Sequence, residues 1–223
     1  MHALFDPRQV PVCGVDTHLP AVAAARLTPQ ALRQRFAAPP VWQPEVRREP
    51  DLPGASRPLA AAAVLMPLVQ RPQGVTVLLT QRTAHLSSHA GQVAFPGGKA
   101  DAEDASAAAT ALREAEEEVG LARRHVQVLG ELAAYVTGTR YAVTPVVGLV
   151  QPSFALRPNP DEVAQVFEAP LAFLMNPAHH RRHQMADGRQ WFSMPYTDEA
   201  GREHYIWGAT AGMLRNLYRF LMA

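Results

Sequence analysis

Gly91 to Leu121 reads GQVAFPGGKADAEDASAAATALREAEEEVGL: a short apolar run, a glycine turn, then a segment crowded with acid. Alanines and Leu112 recur at helical spacing and Gly120 follows in the usual stop position, so the pattern predicts a helix over 104–119. At about 100° per residue, Ala108, Leu112, Ala115 and Val119 form one apolar stripe, and Glu114, Glu117 and Glu118 gather on another face. Like charges at i,i+4 repel, and Glu116 and the negative end of the helix dipole add to the cost. A divalent cation would remove that repulsion. Hard carboxylate oxygens suit Mg²⁺ or Mn²⁺, bound jointly with the phosphates of a substrate. Arg113 is spaced to hold Glu117 at i,i+4. A solvated acidic face is the plain alternative. Pro96-Gly97-Gly98 shifts the weight, because it permits a tight reversal and a close approach of backbone to a phosphate or to the helix.

These residues carry a resemblance. Gly98 to Leu121 resembles the Nudix box, and Arg113-Glu114-Ala115-Glu116-Glu117-Glu118-Val119-Gly120-Leu121 fits the second half of its pattern, REUxEExGU. In the first half the box expects a Glu where this chain has Ala105, with Asp104 beside it and one extra residue before Arg113. Upstream, Leu78-Leu79-Thr80-Gln81-Arg82, Gly91 and Phe95-Pro96-Gly97-Gly98 are similar to the motif of the coenzyme A pyrophosphatases within that family. The extra residue fits this branch, whereas Ser87 stands where its motif has Arg. The resemblance implies an α/β/α sandwich with a mixed sheet and the box helix at the catalytic edge. It implies metal ligation by Glu114, Glu117 and Glu118, and the substrate it points to is coenzyme A.

The rest of the composition suggests an ordinary soluble globule. The 223 residues suffice for one sizeable core, 48% are hydrophobic and the formal net charge is +1. The 21 basic residues form no long cluster, so no electrostatic footprint for nucleic acid is present. No run approaches the roughly 18 apolar residues of a membrane span. Cys13 is the single cysteine, which excludes an intrachain disulfide framework. The opening MHALFDPRQVPVCGVD lacks the pattern of a signal peptide, so the expected location is the cytoplasm.

Along the chain, 1–59 reads as an extension that packs on or is linked to a hydrolase domain over 60–223. Thr28-Pro29 opens a short helix that ends before Pro39-Pro40. The prolines from 39 to 58 suggest an extended wrap, anchored at least by Trp42. Strands are expected at 61–69 and 75–81, joined as a hairpin by Arg71-Pro72-Gln73-Gly74, and again at 93–95, 126–135 and 143–150. After Asn159-Pro160-Asp161-Glu162, Leu171 to Leu174 begins a helical segment limited by Pro177. Strands at 190–194 and 205–207 precede a final helix over 209–222, with Met213, Leu214, Leu217, Phe220 and Leu221 on its buried side. The alternation implies a layered α/β fold.

Chemically, a pyrophosphate linkage is shielded by its own negative oxygens, so the enzyme must neutralise them and orient a water. Glu162 and Glu168 are candidates for a base from outside the helix. Arg82, with Gly97 and Gly98, is the candidate for phosphate contact, and Ser87, His85, His89, Gln92 and Phe95 share that region. His179 and His183 of His179-His180-Arg181-Arg182-His183 would share a face only on a helix. Pro177 favours a loop there, which would present a cationic rim. Two other readings use the same residues: hydrolysis of another nucleoside diphosphate derivative or dinucleotide, and a binding module without catalysis.

Overall fold

The computed structural model describes residues 6–50, 58–84 and 91–223. In chain order its elements are β1 (Val12–Val15), α1 (Pro29–Ala37), β2 (Ala60–Arg71), β3 (Gly74–Arg82), β4 (Val93–Ala94), β5 (Gly97–Lys99), α2 (Ala107–Val119), β6 (Val126–Glu131) and β7 (Tyr135–Val136). β8 (Tyr141–Val150), β9 (Val163–Pro170), α3 (Leu171–Leu174), β10 (Arg181–Gln184), β11 (Gln190–Thr197), β12 (Glu203–Trp207) and α4 (Gly208–Met222) follow.

The centre is β2, which runs parallel to β8 from Ala60 beside Tyr141 to Val69 beside Val150. On its other side β2 forms the expected hairpin with β3, closed where Arg71 pairs Gly74, whose φ of +124° suits only glycine. The hairpin stays paired only over Leu68–Arg71; beyond it the two strands diverge. β5 takes the vacated edge of β2 through Ala62–Val64, and β4 takes that of β3 at Thr80 and Gln81. The glycine turn is therefore wedged into a split in the sheet. A side chain on Gly97 would meet the Ala63 carbonyl at 2.4 Å, which explains the residue.

Alternation along β2 and β8 builds a core on each face of this sheet. Ala63, Leu65, Val69, Val146 and Val150 pack with Ala111, Ala115 and Val119 of α2. Met66, Leu68, Val147 and Leu149 face the larger core, which contains Leu214 and Leu217 of α4. A second antiparallel sheet, ordered β1, β10, β11, β12, lies on the α4 side. The fold is the mixed-sheet α/β sandwich expected from the sequence.

Several boundaries differ for local reasons. α2 starts at Ala107, because Ser106 caps it by accepting from the Ala109 amide at 3.1 Å. The strand expected over 126–135 is two strands, β6 and β7, both paired with β8. β1, β9 and β10 were not expected; β9 completes the first sheet beside β3, and β10 stands where a loop was expected because β1 and β11 both pair with it. His179 ends a 3-10 turn and His183 lies in β10, so the pair shares no helix face. His183 instead bonds the Val10 carbonyl at 2.9 Å and Ser193 Oγ at 2.8 Å.

The segment before β2 is stitched across the core. Thr28 caps α1 through the Ala31 amide at 3.2 Å with Pro29 at the first helical position. Trp42 meets Phe220 edge-on at 5.4 Å. Arg215 of α4, only 1% exposed, binds Asp16 at 2.8 Å and Glu45 at 2.7 Å. Its Nη1 also donates to His180 Nδ1 at 3.0 Å, which leaves His180 Nε2–H to donate to the Leu174 carbonyl at 2.7 Å. Burial lowers the His180 pKa to about 4, with Arg215 adding to the shift, so the ring is neutral.

Candidate active site

The acidic half of α2 lies against the glycine turn. Glu118 is buried, so the alternative of a solvated acidic face does not hold for it: Ala111 joins Ala115 and Val119 in the fully buried stripe, while Ala108 and Leu112 pack only partly buried beside it. Its Oε2 accepts from the Gly97 amide at 3.2 Å, and its Oε1 lies 3.5 Å from Arg82 Nη1. Burial pushes its pKa up to about 7; the Gly97 amide and Arg82 oppose that shift, and Glu162 and Glu114 reinforce it. Glu114, one turn earlier, presses on Gly98, where an added Cβ would stand 2.5 Å from the carboxylate. Its pKa is also raised, chiefly by burial, with Arg113 pulling the other way. Glu117 points outward, its side chain 59% exposed.

Arg113 organises this face. It donates to Asp104 at 2.9 and 3.2 Å, to Glu114 at 2.9 Å, to the Lys99 carbonyl at 3.2 Å and, as the i,i+4 spacing suggested, to Glu117 at 3.0 Å. Asp104 also accepts from Thr110 Oγ1 at 2.9 Å and the Asp101 amide at 3.0 Å. The bonds from Arg113 hold the Asp104 carboxyl well below the usual carboxylate range. Asp104 thus anchors Arg113 and, through it, the turn to the helix. No sequence spacing announced Asp101 or Thr110 as parts of this clamp, since the loop must fold back before they meet Arg113 or Asp104.

The candidates sort by position. Arg82 joins the acidic face, and its Nε is buried without a hydrogen-bond partner. Glu162 is also near: its carbonyl accepts from the Thr83 amide at 3.0 Å, beside Arg82, and its charge acts on both Glu114 and Glu118. Glu168 is not. It binds Arg71 and Thr76 at 2.5 Å by the hairpin end of the sheet, some six residues along β9 from Glu162, or roughly 20 Å of strand. Phe95 is 3% exposed and belongs to the core. The Gln92 carbonyl accepts from the Arg82 amide at 2.9 Å. His85, Ser87 and His89 lie outside the described residues.

For a divalent ion the donor chemistry fits: Glu114, Glu117 and Glu118 offer carboxylate oxygens only, and the raised pKa values of Glu114 and Glu118 reflect burial and negative charge that a cation would relieve. Among the described residues, however, no three His, Cys, Asp or Glu side chains already converge on one point. Glu118 is turned to Gly97 and Glu117 is held outward by Arg113.

The arrangement is an α/β fold whose split sheet lies between helices, with a glycine turn pinned to an acidic helix. A NUDIX domain profile matches residues 59–195. The chain belongs to the Nudix family of pyrophosphohydrolases, whose members generally need divalent metals such as Mg²⁺ or Mn²⁺ and act on small-molecule substrates. It is 48% identical over 157 residues to "Uncharacterized Nudix hydrolase NudL" of Photorhabdus laumondii subsp. laumondii, covering 70% of this chain and 82% of that one. A protein of the same description from Escherichia coli (strain K12 / DH10B) is 48% identical over 156 residues, 70% and 80% of the two chains. The crystal structure of RenU, a Nudix hydrolase from M. Smegmatis, matches 52% of this chain and 73% of its own at 25% identity and a TM-score of 0.45. Among the described residues no helix is long and apolar enough to cross a membrane.

Proposed function

We propose that this chain hydrolyses the pyrophosphate bond of coenzyme A and its thioesters, giving 3′-phosphoadenosine 5′-monophosphate and 4′-phosphopantetheine or its acyl form. The observation that carries the reading is Arg82. It ends β3 within the segment similar to the coenzyme A pyrophosphatase motif, and its guanidinium reaches Glu118 at 3.5 Å. Glu114, Glu117 and Glu118 would hold the Mg²⁺ or Mn²⁺, Glu117 and Glu118 turning from their present partners to do so. A bound divalent ion neutralises phosphoryl oxygens and lowers the pKa of its water. Arg82 supplies a second positive charge to the substrate, and Arg113 fixes the orientation of Glu114 and Glu117. Water adds to one phosphorus, the bridging P–O bond breaks, and the bridging oxygen leaves with the other phosphate. The proton of the water passes to a carboxylate among Glu114, Glu118 and Glu162. The reaction belongs to the cytoplasm, which a chain with one cysteine suits.

One observation favours a second reading, hydrolysis of another nucleoside diphosphate derivative or a dinucleotide: Ser87 replaces the motif's Arg and carries no charge for a 3′-phosphate. A panel of coenzyme A, dephospho-coenzyme A, NADH and ADP-ribose, assayed chromatographically with Mg²⁺, separates the two. Coenzyme A should be cut, EDTA should stop the reaction and Mg²⁺ or Mn²⁺ should restore it. Rapid cleavage of NADH or ADP-ribose with none of coenzyme A would reject the assignment.

A further inference from the structure

A cavity of about 580 Å³ opens at the carboxyl end of α2, lined by Gly120, Arg124, His125, Ser153 and Arg157 among others, with no acidic residue in its wall. Its size is that of small-molecule sites generally. The charge is unusual, since most arginines among the described residues have partners. Among the described residues, Arg124, Arg157 and Arg181 are the arginines whose side chains meet no carboxylate, carbonyl, amide or ring. Two of those three face the same cavity. Arg124 and Arg157 are both exposed, so the wall presents positive charge to solvent, where an anion can reach it.

The carboxyl end of a helix would ordinarily repel an anion. Here its carbonyls are covered: Arg157 and Asn159 amides donate to Val119 and Glu118 carbonyls, each at 2.8 Å, and the Leu121 amide donates to Ala115 at 3.2 Å. Gly120, at φ +70°, lets the Arg157 backbone approach, since a Cβ there would stand 2.9 Å from the Arg157 nitrogen. The chain segment that carries Arg157 therefore rests on the end of α2, and the same segment runs on to Glu162. Guanidinium pairs favour the tetrahedral oxygens of phosphate, which they bind bidentately.

We infer that this cavity binds the phosphate group of a small organic phosphate monoester, at a site separate from the carboxylates of α2, with Arg124 and Arg157 holding the phosphate. The volume exceeds what one phosphate fills, so the organic part occupies the remainder. The inference stands whether or not coenzyme A is the substrate.

Calorimetric titration of the whole chain with inorganic phosphate and with AMP, in EDTA so that no metal bridges ligand to the acidic face, provides the test. AMP should bind saturably at one site, at least tenfold more tightly than phosphate. R124Q/R157Q should weaken AMP binding at least tenfold while the melting temperature stays put, because neither side chain has a partner to lose. R181Q, which removes the third unpaired arginine outside the cavity, should bind as the parent does. No saturable binding, or undiminished binding by the double variant, would overturn the site. Equal affinity for AMP and phosphate would overturn the monoester assignment.

Discussion

Arg113 and Arg215 each sit among carboxylates, and the two surroundings work in opposite ways. Around Arg215 each carboxylate is matched by more than one cation: Asp16 is met by Arg215 and Arg182 and Glu45 by Arg215 and Arg219, and Phe192 and Tyr218 flank the guanidinium at 5.0 and 5.2 Å. Around Arg113 acid is in excess, with Asp101, Asp104, Glu114 and Glu117 sharing one cation and Glu118 leaning on Arg82. The first cluster is closed and satisfied, which suits a fastener. The second is left with negative charge that burial resists, as the raised pKa values of Glu114 and Glu118 show. Surplus charge held in place by a fold is what a site for a cation and a phosphorylated substrate requires.

The largest effect expected from this contrast is on stability at Arg215. R215A strands Asp16 and Glu45, and removing one partner of a buried pair typically costs about 3–5 kcal/mol. Urea unfolding should show that loss while the folded fraction keeps its turnover. A change below about 1 kcal/mol would mean the cluster is not a fastener. At Glu118 the pattern should invert. E118Q keeps shape and removes charge, so kcat should fall about 10²–10³-fold, comparable to losing one charged stabiliser of a transition state, with an equal or higher melting temperature. Unaltered kcat would remove Glu118 from the chemistry.

His180 sharpens the comparison on the pH axis. Its pKa is lowered from 6.5 unfolded to about 4 folded, so its contribution to stability is complete above pH 6.5 and is lost as pH falls towards 4. The loss should approach about 3 kcal/mol, and H180Q should flatten that part of a urea-midpoint profile. An identical slope in the variant would assign the pH dependence to other groups. The smallest effect concerns Arg82. R82A should lower kcat/KM for coenzyme A about tenfold without changing the Mg²⁺ dependence, since the helix carboxylates remain. S87R should favour coenzyme A over dephospho-coenzyme A if position 87 meets the 3′-phosphate; equal response of both substrates would separate that loop from 3′-phosphate recognition.

By itself the sequence determined the periodic parts. Apolar runs bounded by turn residues announced β2, β3 and β8, Gly74 and Thr28-Pro29 marked a turn and a helix start, and the spacing of Arg113 and Glu117 put them in contact. These features depend on neighbours along the chain, so a local pattern is enough to read them. Tertiary structure decided what depends on distant packing. It set the rotation of α2 that buries Glu118, the split of the β2–β3 hairpin that admits Gly97, and the fold-back of Asp104 onto Arg113. It also separated Glu162 from Glu168, two acids that look alike in sequence, because one lies beside Arg82 and the other by the hairpin end of the sheet. Only the sheet beneath α2, offering Leu65, Val69 and Val146 as a floor, selects the face that buries Glu118 against Gly97 and Arg82.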